Sequence, residues 1–368
     1  MSTRLLVSTR KGVFILERTS NDWRIVNAQF EGDHSPMLLH DSRDDSLYAV
    51  LEHGNFGTKM HRSQDQGQTW EEIGVPTYPP QPEGEKEVNA FSGKELVWRL
   101  EKIWALEAGL DDQPGVLWCG TLPGGLFRSN DSGQSWEIVA SLWNEPQRKM
   151  WFGGGMDTPG IHSICVDPRD GQHLTLGVSC GGAWVTRDMG ETWECQADGM
   201  WAEYLPPEQK SEPNAQDPHC IVQCRANPDC LWTQHHNGVF RSTDGAKSWQ
   251  EVNPAVSKFG FPVAVHPHDP ETAWLAPAIK DEKRIPVNGK VVVTRTRDGG
   301  KSFDVLREGL PQDHAYDIVF RHCLVVDDEG QSLAMGSTTG NLWVSEDQGD
   351  RWELISSHLP PIYCVKFA

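Results

Sequence analysis

The sequence predicts an all-β protein, a seven-bladed β-propeller of four-stranded antiparallel blades, with six or eight blades as the alternative counts. Three observations predict it. A polar pattern ending in an aromatic residue recurs six times along the 368 residues. Short strand-like segments flank every copy. The two ends of the sequence each supply part of one further blade.

The pattern is Ser/Thr-x-Asp-x-Gly-x-Ser/Thr-Trp. It reads "RSQDQGQTWE" (62–71), "RSNDSGQSWE" (128–137), "VTRDMGETWE" (185–194), "FRSTDGAKSWQ" (240–250), "RTRDGGKSFD" (295–304) and "VSEDQGDRWE" (344–353). A hairpin turn explains the residue types. Asp bonds the backbone two residues on, Gly accepts φ > 0, and the closing aromatic packs across the hairpin. Ala246 replaces Gly in the fourth copy and Arg351 replaces the hydroxyl residue in the sixth. Turns tolerate both, whereas one catalytic site does not sit in six places. The pattern therefore specifies fold and not chemistry.

The clearest blade is 161–196, with strands in "IHSICVDP", "HLTLGVS", "GGAWVTRD" and "TWECQ". Similar units start near 34, 102, 218, 260 and 315. "IYCVKFA" at the C-terminus reads as an innermost strand, while "RLLVSTRKGVFILER" and "DWRIV" at the N-terminus read as the other three. Joined, they make a seventh blade closed by both termini, which removes the open edges of the array. One propeller domain over 1–368 is expected, with long loops on one face at about 74–101, 141–160, 197–217 and 277–290.

Bulk properties narrow the partners. A hydrophobic fraction of 38% with 16 tryptophans fills a sizeable core, and a formal net charge of -19 argues against nucleic acid or anionic lipid. The N-terminus shows neither a signal peptide nor a membrane span, and nine cysteines without a C-x-x-C pair read as reduced, mostly buried thiols. A cytoplasmic protein is expected, with a small-molecule substrate or a protein partner.

The recurrent pattern resembles the Asp-box, or BNR, repeat of sialidases and their relatives among the sortilin-like, WD40, YVTN and BNR types of propeller. Relatives of that kind include glycosidases, polysaccharide lyases, sortilin-like receptor domains and photosystem assembly factors, so the resemblance implies the fold more narrowly than the activity. Sialidases carry an early Arg-Ile-Pro motif, whereas the only such stretch here is Arg284-Ile285-Pro286, late in the chain. They also pair a late Tyr with a Glu nucleophile and have six blades. A true sialidase is not expected.

In this architecture the recurrent turns lie on the outer, bottom face, and ligands meet the opposite mouth of the central channel. Aligning the innermost strands puts Ser35, Lys102, His162, His219, Phe261, Tyr316 and Tyr363 near that mouth, beside His34 and His314. Aligning the next turns adds Arg10, Lys11, Cys180, His235 and His236, with His53 in the corresponding turn of its blade. The aligned set offers three readings. In the first, His34, His53, His162, His219 and His235 are candidate ligands for Zn, Mn, Fe or Cu. In the second, His162, His219, His314, Tyr316 and Tyr363 do metal-free acid–base work, while Arg10, Lys11, Lys102, His236, Cys180 and Trp151 bind substrate. In the third, the histidines only bond water and backbone. Carboxylates on the loops, Asp33, Glu52, Asp157, Asp217 and Asp313, offer no pair that stands out. Within "RKMWFGGGMDTPG" (148–160), Trp151 and Phe152 are expected to cover a pocket. The expected activity is hydrolysis or elimination, metal-assisted or His/Tyr-driven, on a small polar or anionic molecule, sugar derivatives included. A non-enzymatic propeller binding a protein or peptide is the alternative.

Overall fold

Seven four-stranded antiparallel sheets form the blades in a computed structural model that describes residues 3–20, 22–84, 86–89, 93–153 and 158–368. The innermost strands of six blades are His34–Asp41, Lys102–Ala108, Ile161–Val166, Pro218–Gln223, Gly260–Val265 and Leu324–Val326. The seventh blade is closed as its sequence predicts. Ile362–Phe367 is its innermost strand and pairs with Arg4–Thr9, which is followed outward by Gly12–Arg18 and Trp23–Gln29. Leu5 faces Phe367, and Val7 faces Val365.

Second strands such as Leu117–Leu122, Leu174–Val178 and Leu231–His235 are buried at every position. They lie between neighbouring blades, so both faces are covered and the usual in–out alternation disappears. Trp118, Trp184, Trp232, Trp274 and Trp343 fill the spaces between blades and are almost wholly buried. All nine cysteines are free, seven of them buried. No helix among the described residues is long and apolar enough to cross a membrane.

The recurrent turns close as their chemistry requires. Thr186 Oγ1 donates to Asp188 at 2.7 Å, the Gly190 amide donates to Thr186 Oγ1 at 2.9 Å, and the Thr192 amide donates to Asp188 at 2.9 Å. Ala246 holds the glycine position of its turn at φ 69°, and Asp347 accepts from the Arg351 amide where a hydroxyl is missing. The closing tryptophans do more than pack across a hairpin. Trp136 donates to the Gly74 carbonyl at 3.0 Å and Trp249 to the Gln196 carbonyl at 2.9 Å, which ties each turn to the preceding blade.

These turns carry an acid sensitivity. Hydrogen bonds from Thr69, Thr192 and Ser302 hold Asp65, Asp188 and Asp298 at about 2, below the ordinary 3.8. A depressed carboxylate pKa adds stability above its unfolded value, and that stability is lost as pH falls through the folded value. Urea midpoints are therefore expected to hold steady down to about pH 4 and to fall between about pH 4 and 2. The Asp65→Asn/Asp188→Asn/Asp298→Asn protein is expected to show a flatter profile. Equal slopes for the two proteins would remove the turns as the cause.

One blade departs from its expected register. The sixth innermost strand starts at Leu324, although the alternation in "AYDIVF" suggests a start near 315. Residues 315–323 run beside the second strand without a ladder. Asp317 accepts from Ser337 Oγ and Asn341 Nδ2 at 2.7 Å each, and the Thr338 amide donates to Ile318.

Candidate functional site

The central channel is divided into two chambers by Arg321 and His322, which line both. The chamber on the side of the recurrent turns is larger, about 840 Å³. Its rim arginines are already paired, Arg43 with Asp41 at 2.6 Å, Arg169 with Asp167 and Asp229 at 2.7 Å each, and Arg225 with Asp328 at 2.7 Å. The chamber on the opposite, loop-bearing side is about 450 Å³ and concentrates the chemistry. That volume suits a small ligand.

Three side chains converge on its wall. Asp217 and His219 stand at the start of an innermost strand, and His236 sits in the turn after the second strand of the same blade. His219 Nε2 and His236 Nδ1 each lie 3.4 Å from Asp217 Oδ2. The surrounding contacts fix this arrangement. His219 Nδ1 is 2.7 Å from the Gly260 carbonyl and so donates to it, which turns Nε2 toward the carboxylate. Asp217 Oδ1 accepts from Ser179 Oγ at 3.2 Å and from the Cys180 amide at 3.1 Å, which leaves Oδ2 for the histidines. His235 Nε2 accepts from the Asp217 amide at 3.0 Å.

Electrostatics keeps the carboxylate ionised. Burial alone would raise the Asp217 pKa, but hydrogen bonds and charge from His219 and His236 hold it well below the ordinary value. Burial opposes charge on His236 too, yet Asp217, with Asp281 and Glu203, raises its pKa. Lys102 faces Glu52 across 3.8 Å, and burial lowers its pKa against the pull of that carboxylate.

The cluster fits a divalent metal ion. The ligating atoms of Asp217, His219 and His236 lie within 4.8 Å of one another. With metal–ligand bonds of about 2.0–2.1 Å, neighbouring ligands on a tetrahedron stand roughly 3.3–3.4 Å apart, which the two 3.4 Å separations match. The bond from His219 Nδ1 to a carbonyl is the outer contact that orients ligating imidazoles. Two imidazoles and a carboxylate form a donor set suited to zinc, manganese or iron.

The structure brings His219, His236, Lys102, Cys180 and Tyr363 onto this one cavity. Other residues singled out from the sequence lie elsewhere. His162 is fully buried on the larger chamber, its Nδ1 3.0 Å from Ser163 Oγ. His34 pairs with Glu52 at 2.9 Å, and His53 with Asp33 at 3.5 Å. His235 is fully buried with Nε2 already occupied, so it supports Asp217 and does not face a ligand. His314 and Tyr316 are exposed outside the cavity. Arg10 and Lys11 are exposed in a turn, where Arg10 adds to the positive field at Glu52. Trp151 is buried against Trp184, with ring centroids 5.4 Å apart, while its neighbour Phe152 does line the cavity. Asp157 lies outside the described residues.

Sequence alignment missed Trp104, Tyr204, Asp281, Arg284, Phe320 and Arg321, all of which line the cavity. Tyr204 comes from the 197–217 loop, and Asp281 and Arg284 from the 277–290 insertion. Trp104 sits at a β-bulge of the innermost strand, where the register shifts between Ile103 and Ala105, so alternation from Lys102 does not place it.

Fold and site together define a seven-bladed β-propeller with a His/Asp cluster in a cavity at one channel mouth. No protein-family model matches the chain. The chain is similar to an oligoxyloglucan-reducing end-specific xyloglucanase of Emericella nidulans, at 27% identity over 211 residues, 51% of this chain. It spans 24% of that enzyme's length. Among solved structures it is similar to the GH74 xyloglucanase from Xanthomonas campestris, with a TM-score of 0.67 and 17% identity, over 97% of this chain and 53% of that one. YCF48 from Cyanidioschyzon merolae superposes with a TM-score of 0.54 and 12% identity, over 89% of this chain and 87% of its own. The structural likenesses establish a shared propeller fold.

Proposed function

We propose that the protein is a metal-assisted hydrolase or lyase acting on a small polar or anionic molecule of sugar-derived type. The observation that carries this reading is the Asp217–His219–His236 cluster, open to a cavity of ligand size. Asp217, His219 and His236 would hold a metal ion, which would supply Lewis-acid activation of a water or a carbonyl. The chain's own residues supply the rest. Phe152, Phe320 and Tyr363 offer apolar ring surface to a substrate. Lys102 offers a cation to hydroxyl groups from the cavity wall. The Tyr363 phenol is a proton donor at the same wall. The similarity to a xyloglucanase supports a carbohydrate-derived substrate.

The test is elemental analysis of the untagged full chain, followed by chelation and reloading with zinc, manganese or iron. About one equivalent of metal is expected as isolated, with a thermal midpoint that falls on chelation and recovers on reloading. A protein that neither carries nor takes up any of these ions would end the metal-assisted reading.

A further inference from the structure

Arg321 is a half-buried cation that the proposed metal cluster leaves unused. It stands where the two chambers meet, on the segment leading into Leu324–Val326. Its Nε donates to the His219 carbonyl at 2.6 Å. Its guanidinium carbon lies 4.4 Å from the Trp104 ring centroid and 5.6 Å from that of Phe261. One hydrogen bond and two aromatic faces thus fix the plane of the guanidinium.

Other basic groups on the wall have carboxylates close by. Arg284 pairs with Asp281 at 2.5 Å, and Lys102 faces Glu52. Among the described residues no carboxylate pairs with Arg321, and no hydrogen-bond acceptor meets either Nη group. Asp217 favours its charge only from a distance. A guanidinium carries its charge at neutral pH. A charged fork with unpartnered Nη donors, held in place at the wall of a largely apolar cavity, is suited to bind an anion.

We propose that the two Nη groups of Arg321 bind a carboxylate on the substrate, which makes the substrate a sugar acid. This inference rests on the proposed function of the same cavity and adds its substrate class. A planar guanidinium matches a planar carboxylate through two parallel hydrogen bonds. The aromatic walls take the hydroxylated ring. Arg321 is bonded to the main chain of His219, so the carboxylate is held next to the His/Asp cluster.

The test titrates the full chain calorimetrically with D-glucuronate and D-galacturonate, with the neutral sugars D-glucose and D-galactose, and with inorganic phosphate. Each titration is run before and after chelation, and metal content is measured on the same samples. At least one uronate is expected to bind about 10- to 100-fold more tightly than its neutral parent, and more tightly than phosphate. Arg321→Met should abolish that preference, while Arg321→Lys should retain part of it. Three results would each overturn the proposal: equal binding of acid and neutral sugar, a preference that survives in Arg321→Met, or phosphate equalling the uronates. Should Arg321→Met not fold, the wild-type preference after chelation and the reduced preference in Arg321→Lys decide the matter. A chain that holds no metal yet keeps an Arg321-dependent uronate preference would refute the metal-assisted reading and leave this one standing.

Discussion

Deletion of residues 361–368 is expected to abolish cooperative folding. The strand Ile362–Phe367 is the inner edge of the closing blade, and Ile362, Cys364 and Val365 are fully inaccessible. Its loss strips the ladder from Arg4–Thr9, whose Leu5 and Val7 are also fully inaccessible. Contacts beyond the ladder disappear as well. The Arg10 amide loses the Pro361 carbonyl, and the Cys323 thiol loses the Ile362 carbonyl. Three buried side chains at ~1.5–3 kcal/mol each, with the ladder bonds at about 1 kcal/mol each, approach or exceed the ~5–15 kcal/mol that holds a typical domain. A propeller opened at one blade also presents a strand edge to other copies. Thermal unfolding followed by circular dichroism should show no sharp transition, and sedimentation should show aggregates. A truncated chain melting within about 5 °C of the intact one would contradict this account.

That closure was legible because its signals are local. Strand-like segments at both ends of the sequence each lack partners that the other end supplies, and six turns announce themselves through Asp, Gly and hydroxyl residues within ten positions. The cavity was legible only at the starts of innermost strands, which supply Lys102, His219 and Phe261, although the ladder shifts register at His219 and Phe261. His235 and His236 show the limit of such reasoning. They are adjacent, but the first ends a buried strand and binds a backbone amide, while the second leaves the strand and faces Asp217. Arg321 and Phe320 lie in a segment whose alternation reads as a strand, but the strand begins only at Leu324 and Asp317 in that segment bonds Ser337 and Asn341 side chains. Asp281, Arg284 and Tyr204 reach the cavity from long loops, and no periodicity encodes where a loop folds back.

Asp217 is the residue on which the cluster depends, and its replacement should separate structure from chemistry. Asp217→Ala removes a buried charge that faces two imidazoles and accepts from Ser179 and the Cys180 amide. Taking one partner from a buried charged network costs roughly 3–5 kcal/mol, so this variant is expected to lose both metal and stability. Asp217→Asn tells more. Its amide oxygen can still accept from Ser179 and Cys180, but its NH2 group now faces His219 and His236. The fold should persist with a loss of about 1–3 kcal/mol, while metal affinity falls by at least roughly 100-fold, because a neutral amide replaces an anionic ligand. Urea denaturation and metal competition against a chromogenic chelator measure the two effects on one sample. The paired outcome discriminates between roles. If Asp217 only neutralises the histidines, Asp217→Asn lowers stability and alters the titration of His236, whose charge Asp217 now favours, without changing metal uptake. If it is a ligand, uptake collapses while the protein remains folded, and adding back the His219→Ala change lowers affinity little further, because the three groups act as one site.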